Sequence, residues 1–312
     1  MGRVLFIKLG YTQDLPSMVS NEVSLTSLLR STVLLNLFDG DEVWWVTTPP
    51  GVPLVRNARN VEHVLVYDCA VSIALSGERF DTVVNLEPGW EFCALADSID
   101  ASERFGFSLD EWGGKAVALA GAEPALAVEL SPGAVHGEAL PYQQVLYDVL
   151  QAKWQGEPFQ LGYDAVAPEE HDLGLNVPPG VSLESGSWSH EHWARLEELV
   201  SGKYSCSCPQ VGSLEGYFEW VHSCRILVTP DTFGLYLALA MGKKVVALFG
   251  PTPASCCHTY ERGIKLVPKV HLSCMPCCQL ECVFEKSCIE TISPEQVAEA
   301  IDLASHADAL RN

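Results

Sequence analysis

The sequence predicts an α/β protein built from two Rossmann-like domains facing a cleft. Three observations carry this. Strand-like and helix-like segments alternate along the chain. The strand-like segments are continuous apolar runs with no period of two, the pattern of parallel strands covered on both faces. The alternation stops at a polar stretch containing Gly and Pro, residues 155–170, and then restarts. Such a stretch reads as an interdomain linker, and 312 residues suffice for two domains with their own cores. The domains are set at residues 1–160 and 161–312.

In the first half, Arg3-Val4-Leu5-Phe6-Ile7 is an apolar strand. A helix is expected from Ser24 to Phe38, with Ser24 as N-cap and Leu25, Leu28, Leu29 and Thr32 on one face. Strands follow at residues 43–46, 64–67 and 82–85. A short helix lies between the first two of these, opening at Pro53, a residue suited to a first turn. Helices are expected at about 90–98 and 142–153. After the linker, strands are placed at 173–176, 204–208, 226–228 and 245–249, and helices at 189–200, 213–223 and 233–241. Ser293-Pro294-Glu295-Gln296 opens a last helix with Pro294 at its first position.

Charge and composition narrow the function. Net charge is -21, and both halves share it: 8 Lys+Arg against 20 Asp+Glu up to residue 150, then 11 against 20. No basic stripe exists to neutralise a phosphate backbone or an anionic lipid surface, so neither nucleic acid nor membrane is an expected partner. No apolar run has membrane-spanning length. Met1 to Val4 lead straight into a strand, so no secretory signal is read and a cytoplasmic protein is expected. In a reducing compartment the twelve cysteines are thiols or ligands more readily than disulfides.

Two segments carry chemistry. In the first, a strand ends at Val228, and Asp231-Thr232-Phe233-Gly234 turns into a helix whose first amides are unpaired, as in an anion site. Tyr236 lies one turn on. A second strand ends at Phe249, and Gly250-Pro251-Thr252 turns at the same sheet edge, where open α/β sheets bind ligands. Ordinary capping by Asp231 and a plain tight turn explain the same spacing. In the second, Cys274, Cys277, Cys282 and Cys288 form C-x2-C-x4-C-x5-C, with Cys278 as an extra thiol. Four thiolates suit a tetrahedral zinc or iron ion held structurally, with no open position. Packed reduced thiols or a pair of labile disulfides are the alternatives.

The block Asp231-Thr232-Phe233-Gly234-Leu235-Tyr236-Leu237-Ala238, followed by Phe249-Gly250-Pro251-Thr252, resembles the family-nine glycosyltransferases, the lipopolysaccharide heptosyltransferases and their relatives. Their pattern there is Asp-Ser/Thr-Gly-Pro-x-His-x-Ala, then Phe-Gly-Pro-Thr. The resemblance extends through the cysteine block to Ile292-Ser293-Pro294-Glu295-Gln296-Val297, and covers the N-terminal strand and helix and residues 60–67. It implies a GT-B fold, a nucleotide-sugar donor linked to ADP and often ADP-heptose, and iron or zinc at the four cysteines. It places the donor diphosphate at Asp231, Thr232 and the turn behind them, with Phe233, Gly234, Tyr236 and Thr252 completing the donor site.

The chain also departs from that family. The catalytic Asp of the family's Ser-Leu-Gly-Asp motif corresponds to Ser27 in Ser24-Leu25-Thr26-Ser27, and a lone hydroxyl cannot serve as a base near neutral pH. No Lys precedes Trp188, Tyr236 replaces a His, and Cys256 replaces a Glu. Asp14, after the first strand, is the substitute acid considered; a turn-forming role accounts for it as well. Glu87 and Glu91 are read either as cleft-lining or as capping residues. Two functions follow. One is sugar transfer from a nucleotide-sugar to a small-molecule or protein acceptor. The other is a degenerate binding or scaffold protein whose partner is a second copy or an active paralogue.

Overall fold

A computed structural model describes residues 1–10, 25–130, 140–166, 168–177, 187–210, 212–270, 272–279, 282–284 and 286–306. The chain divides into two compact units, Met1–Asp164 and Ala165–Asn312.

The first unit contains strands β1 (Arg3–Ile7), β2 (Glu42–Thr47), β3 (Val61–Val66), β4 (Arg79–Asn85), β5 (Asp100–Leu109) and β6 (Ala116–Ala118). They form one sheet in the order β3-β2-β1-β4-β5-β6, parallel except for the β5–β6 pair. Its helices are α1 (Leu25–Ser31), α2 (Val52–Val55), α3 (Cys69–Leu75), α4 (Trp90–Ser98), α5 (Glu123–Leu130) and α6 (Tyr142–Val149). β1 is paired on both sides and Val4 to Ile7 are buried, which is why its sequence is a continuous apolar run. Leu5, Ile7, Phe80, Val83, Phe92 and Leu95 share one core on the α4 side.

The second unit contains β7 (His171–Leu175), α7 (His190–Val200), β8 (Cys206–Ser207), α8 (Leu214–Ser223), β9 (Cys224–Pro230), α9 (Phe233–Ala240), β10 (Lys244–Leu248), β11 (Gly263–Leu266) and α10 (Pro294–His306). Its sheet is fully parallel, in the order β11-β10-β9-β7-β8. Trp188, Trp193, Leu196, Val297 and Ile301 pack α7 and α10 onto it. Helix starts follow local chemistry: Ser189 and Ser213 accept the amides of His192 and Gly216. Ser293 and Gln296 cap α10 reciprocally.

Several elements differ from expectation. The helix foreseen from Ser24 to Phe38 is α for Leu25–Ser31 only and continues as a 3-10 helix over Thr32–Leu37. The hydroxyls of Ser31 and Thr32 donate to the carbonyls of Leu28 and Leu29, three residues back, and tighten the winding there. Ser24 lies outside the described residues. α2 begins one residue before Pro53, after a 3-10 turn at Pro49–Gly51. β5, β6, α3, α5 and β11 were not foreseen. β5 carries charged residues on its exposed positions. Only glycine fits at Gly106 in β5: φ is +92°, and an added Cβ would lie 1.8 Å from the Asn85 carbonyl oxygen.

Candidate functional site

Each sheet has a point from which successive strands run off in opposite directions, and ligands of open α/β sheets bind at the carboxyl ends of strands there. In the second unit that point lies between β7 and β9. Asn176, just past β7, donates its amide to Thr229 Oγ1 at 2.9 Å and Thr232 Oγ1 at 3.2 Å. Its carbonyl oxygen accepts the Tyr217 hydroxyl at 3.0 Å. This network fixes the turn that starts α9. Gly234 is required beside it, because a Cβ there would lie 2.4 Å from Tyr217 Oη and 2.6 Å from Asn176 Nδ2.

The residues assigned to a donor site by the sequence gather around this turn. Asp231 accepts the Tyr236 hydroxyl at 3.0 Å, so buried Tyr236 orients the carboxylate. Phe233 packs its ring against Tyr217. Thr252 Oγ1 is buried, with no hydrogen-bond partner among the described residues. A hydroxyl left so is costly unless a ligand completes it. Gly250 lets the neighbouring turn pack against Ile289 and the Cys288 sulfur.

The four clustered cysteines are all reduced; Cys288 is buried and the other three are half-buried. Burial first, then the charges of Cys277, Cys282 and Cys274, push the Cys288 thiol up to about 11. By its chemistry alone, a soft, all-sulfur donor set suits zinc or iron. Among the described residues, no three candidate ligands are drawn together at metal-binding distances. Cys278 stands apart: its N–H donates to the Pro251 carbonyl at 3.0 Å, and φ is +48°.

In the first unit the corresponding point lies between β1 and β4. Lys8, one residue past β1, is buried, and its ammonium lies 3.1 Å from Glu129 and 3.5 Å from Glu87. It also donates to the Leu86 carbonyl at 3.0 Å. Burial alone would lower Lys8, but the two carboxylates outweigh it and hold the group above its ordinary range. Glu87 Oε1 accepts the amides of Leu9 and Gly10, each at 2.6 Å. Glu87 is pushed up to about 7, chiefly by burial, against the pull of Lys8 and with the Glu129 charge adding to the rise.

Ser27 donates to Glu129 Oε1 at 2.8 Å. The position that holds an Asp in the family-nine pattern therefore faces a carboxylate from another helix, α5. Asp14 lies outside the described residues. Glu91 is exposed in the first turn of α4. Sequence reasoning missed Lys8, Glu129, Asn176 and Tyr217. A lysine closing an apolar strand was a signal for Lys8; Glu129 had none.

Two α/β units on mainly parallel sheets, the second with a strand-turn-helix segment at its strand reversal, are the architecture of GT-B-type glycosyltransferases. The chain resembles family nine of that class and is heptosyltransferase-like. Residues 162–288 match the model of glycosyltransferase family 9 (heptosyltransferase). Lipooligosaccharide heptosyltransferase 2 of Campylobacter jejuni, serotype O:6, is 29% identical over 79 residues, 25% of each chain. The serotype O:2 protein is 30% identical over 77 residues, 24% of each. These matches span about a quarter of the curated relatives' length.

Solved structures share the fold along the chain. A family 9 glycosyl transferase from Veillonella parvula has a TM-score of 0.66 at 16% identity, covering 97% of both chains. E. coli heptosyltransferase WaaC with ADP-2-deoxy-2-fluoro heptose has 0.58 at 14%, covering 96% of this chain and 99% of its own. The iron-containing dodecameric glycosyltransferase TibC of enterotoxigenic E. coli has 0.60 at 11%, covering 100% and 80%. No helix among the described residues is long and apolar enough to cross a membrane.

Proposed function

We propose that this chain transfers a sugar from a nucleotide-sugar donor, an ADP-heptose or close analogue, to a soluble hydroxyl-bearing acceptor. The observation that carries the reading is the turn at Asp231 to Gly234, with the buried Thr252 hydroxyl at the same edge, in the stretch matched by the family model. The first amides of α9 and the Thr232 and Thr252 hydroxyls would hold the diphosphate, and Asp231, fixed by Tyr236, would orient the donor. An acceptor oxygen attacks the anomeric carbon as the bond to the diphosphate breaks, and ADP leaves with the electron pair.

Cys274, Cys277, Cys282 and Cys288 would hold a structural iron or zinc ion. It would brace the loop behind the Gly250 turn. WaaC was solved with an ADP-heptose analogue and TibC contains iron, which supports the donor and metal assignments. TibC is dodecameric, so self-assembly belongs to the same proposal, as does a cytoplasmic location.

Calorimetric titration with ADP and UDP, together with ADP release from ADP-heptose, tests the reading. ADP binding with turnover is expected. Binding without turnover would leave the scaffold reading, and absence of binding would remove the donor site. Protein purified without chelator should carry about one metal ion per chain, and Cys277→Ser should lower that content; an unchanged content rejects the ligand set.

A further inference from the structure

The family resemblance leaves unit 1 without an evident base, because Ser27 stands where the aspartate should be. The structure shows what has taken its place in space. Glu129 comes from α5 and sets Oε1 2.8 Å from Ser27 Oγ and 3.1 Å from Lys8 Nζ. We propose that Glu129 is the general base of this protein, acting on an alcohol hydroxyl bound in the cavity at the β1–β4 reversal of the first unit. The inference rests on the sugar-transfer reading above.

Three features support it. The first is place: Lys8, Leu86 and Phe107 bring the carboxyl ends of β1, β4 and β5 to this cavity, where an α/β sheet binds its ligand. The second is room. The cavity measures about 40 Å³. One water needs roughly 10–15 Å³ in this measure, so a hydroxymethyl-sized group fits and a whole sugar ring does not. Arg30, seated 3.9 Å over the Tyr142 ring, forms a polar rim. The third is charge. One ammonium faces two carboxylates, and the cluster becomes neutral when one carboxylate takes a proton. Glu87 is 1% exposed and locked on two amides, whereas Glu129 is 17% exposed and lines the cavity. Glu129 is therefore the carboxylate a ligand can reach.

In the step, the alcohol oxygen bonds to the anomeric carbon, the carbon–oxygen bond to the diphosphate breaks, and the hydroxyl proton passes to Glu129. Lys8 stays beside Glu87 and on the Leu86 carbonyl throughout. Ser27 is a positioning residue that fixes the rotamer of Glu129.

The test measures ADP release from ADP-heptose with methyl β-D-glucoside, N-acetylserine amide or water as acceptor, alongside ADP titration and melting curves. The first two probes separate a sugar alcohol from a seryl one. Glu129→Gln keeps both hydrogen-bond geometries and should slow release at least about a hundredfold, with ADP affinity unchanged. Adding Ser27→Asp to Glu129→Gln returns a carboxylate to the family position and should restore part of the rate, a rescue that a purely structural role would not give. Ala125→Leu fills the cavity and should stop release with ADP still bound. Asp14→Asn should have little effect. Wild-type turnover retained in Glu129→Gln, or lost in Asp14→Asn, overturns the assignment while leaving sugar transfer standing. A wild type that binds ADP but never releases it from ADP-heptose overturns both.

Discussion

The two strand-reversal edges obey one topological rule and are built from opposite materials. The edge of the second unit is held by uncharged groups, one amide, two threonine hydroxyls and a tyrosine, beside a single carboxylate, Asp231. The edge of the first unit is an ionic cluster of Lys8, Glu87 and Glu129 in near-complete burial. The former leaves the buried Thr252 hydroxyl nearby without a partner among the described residues. The latter sets two carboxylates against one ammonium. In the proposed reaction, one edge would hold the leaving diphosphate and the other the attacking alcohol.

The largest break in that contrast should come from Lys8→Met. It leaves Glu87 buried and Glu129 half-buried without their cation, and removing one partner of a buried pair typically costs about 3–5 kcal/mol. Urea unfolding should show a loss of that order, smaller at pH 5, where protonation relieves the orphaned carboxylates. A loss below 1 kcal/mol would mean that the cluster is not the electrostatic unit described.

A smaller effect should appear with pH. Glu87 sits at about 7 in the folded protein, against an ordinary 4.5. The folded state therefore keeps a proton that the unfolded chain releases across that window. The stability tied to it is full below about 4.5 and is lost as pH rises through 7. Glu87→Gln mimics the protonated form. Its stability relative to wild type should rise between pH 5 and pH 7.5, and because the acidic surface is common to both proteins, its repulsion cancels in the comparison. A pH-independent difference would place Glu87 at an ordinary carboxylate value.

The mildest test concerns the edge of the second unit. Gly234→Ala pushes a methyl group against Tyr217 and Asn176. ADP affinity should fall about tenfold, or ~1.4 kcal/mol, and the melting temperature should drop as the Tyr217–Asn176 bond gives way. An unchanged affinity would detach the turn from the donor site.

Much of the second unit could be read in advance for a physical reason. Asp231, Thr232, Gly234 and Thr252 lie in two short strand-turn segments, and local chemistry already shapes such turns. The same holds for the Ser293 cap of α10 and for the continuous apolar strands β1 and β9. β5 was harder to read, because Asp100, Glu103 and Arg104 in its first half mask a strand that pairs only with β4 and the short β6. Cys274 to Cys288 could be picked out by spacing, but their mutual approach depends on how a loop folds back.

By itself the sequence determined the α/β class, the turn that opens α9 and the absence of an aspartate at Ser27, since each is written in neighbouring residues. Only the tertiary structure decided what stands opposite Ser27. Glu129 is 102 positions away along the chain, and nothing local to it marks it as special. It meets Ser27 and Lys8 because α5 packs against α6, β6 and β5, which carries Glu129 to that point. The proximity of two carboxylates to one buried ammonium is a property of that packing.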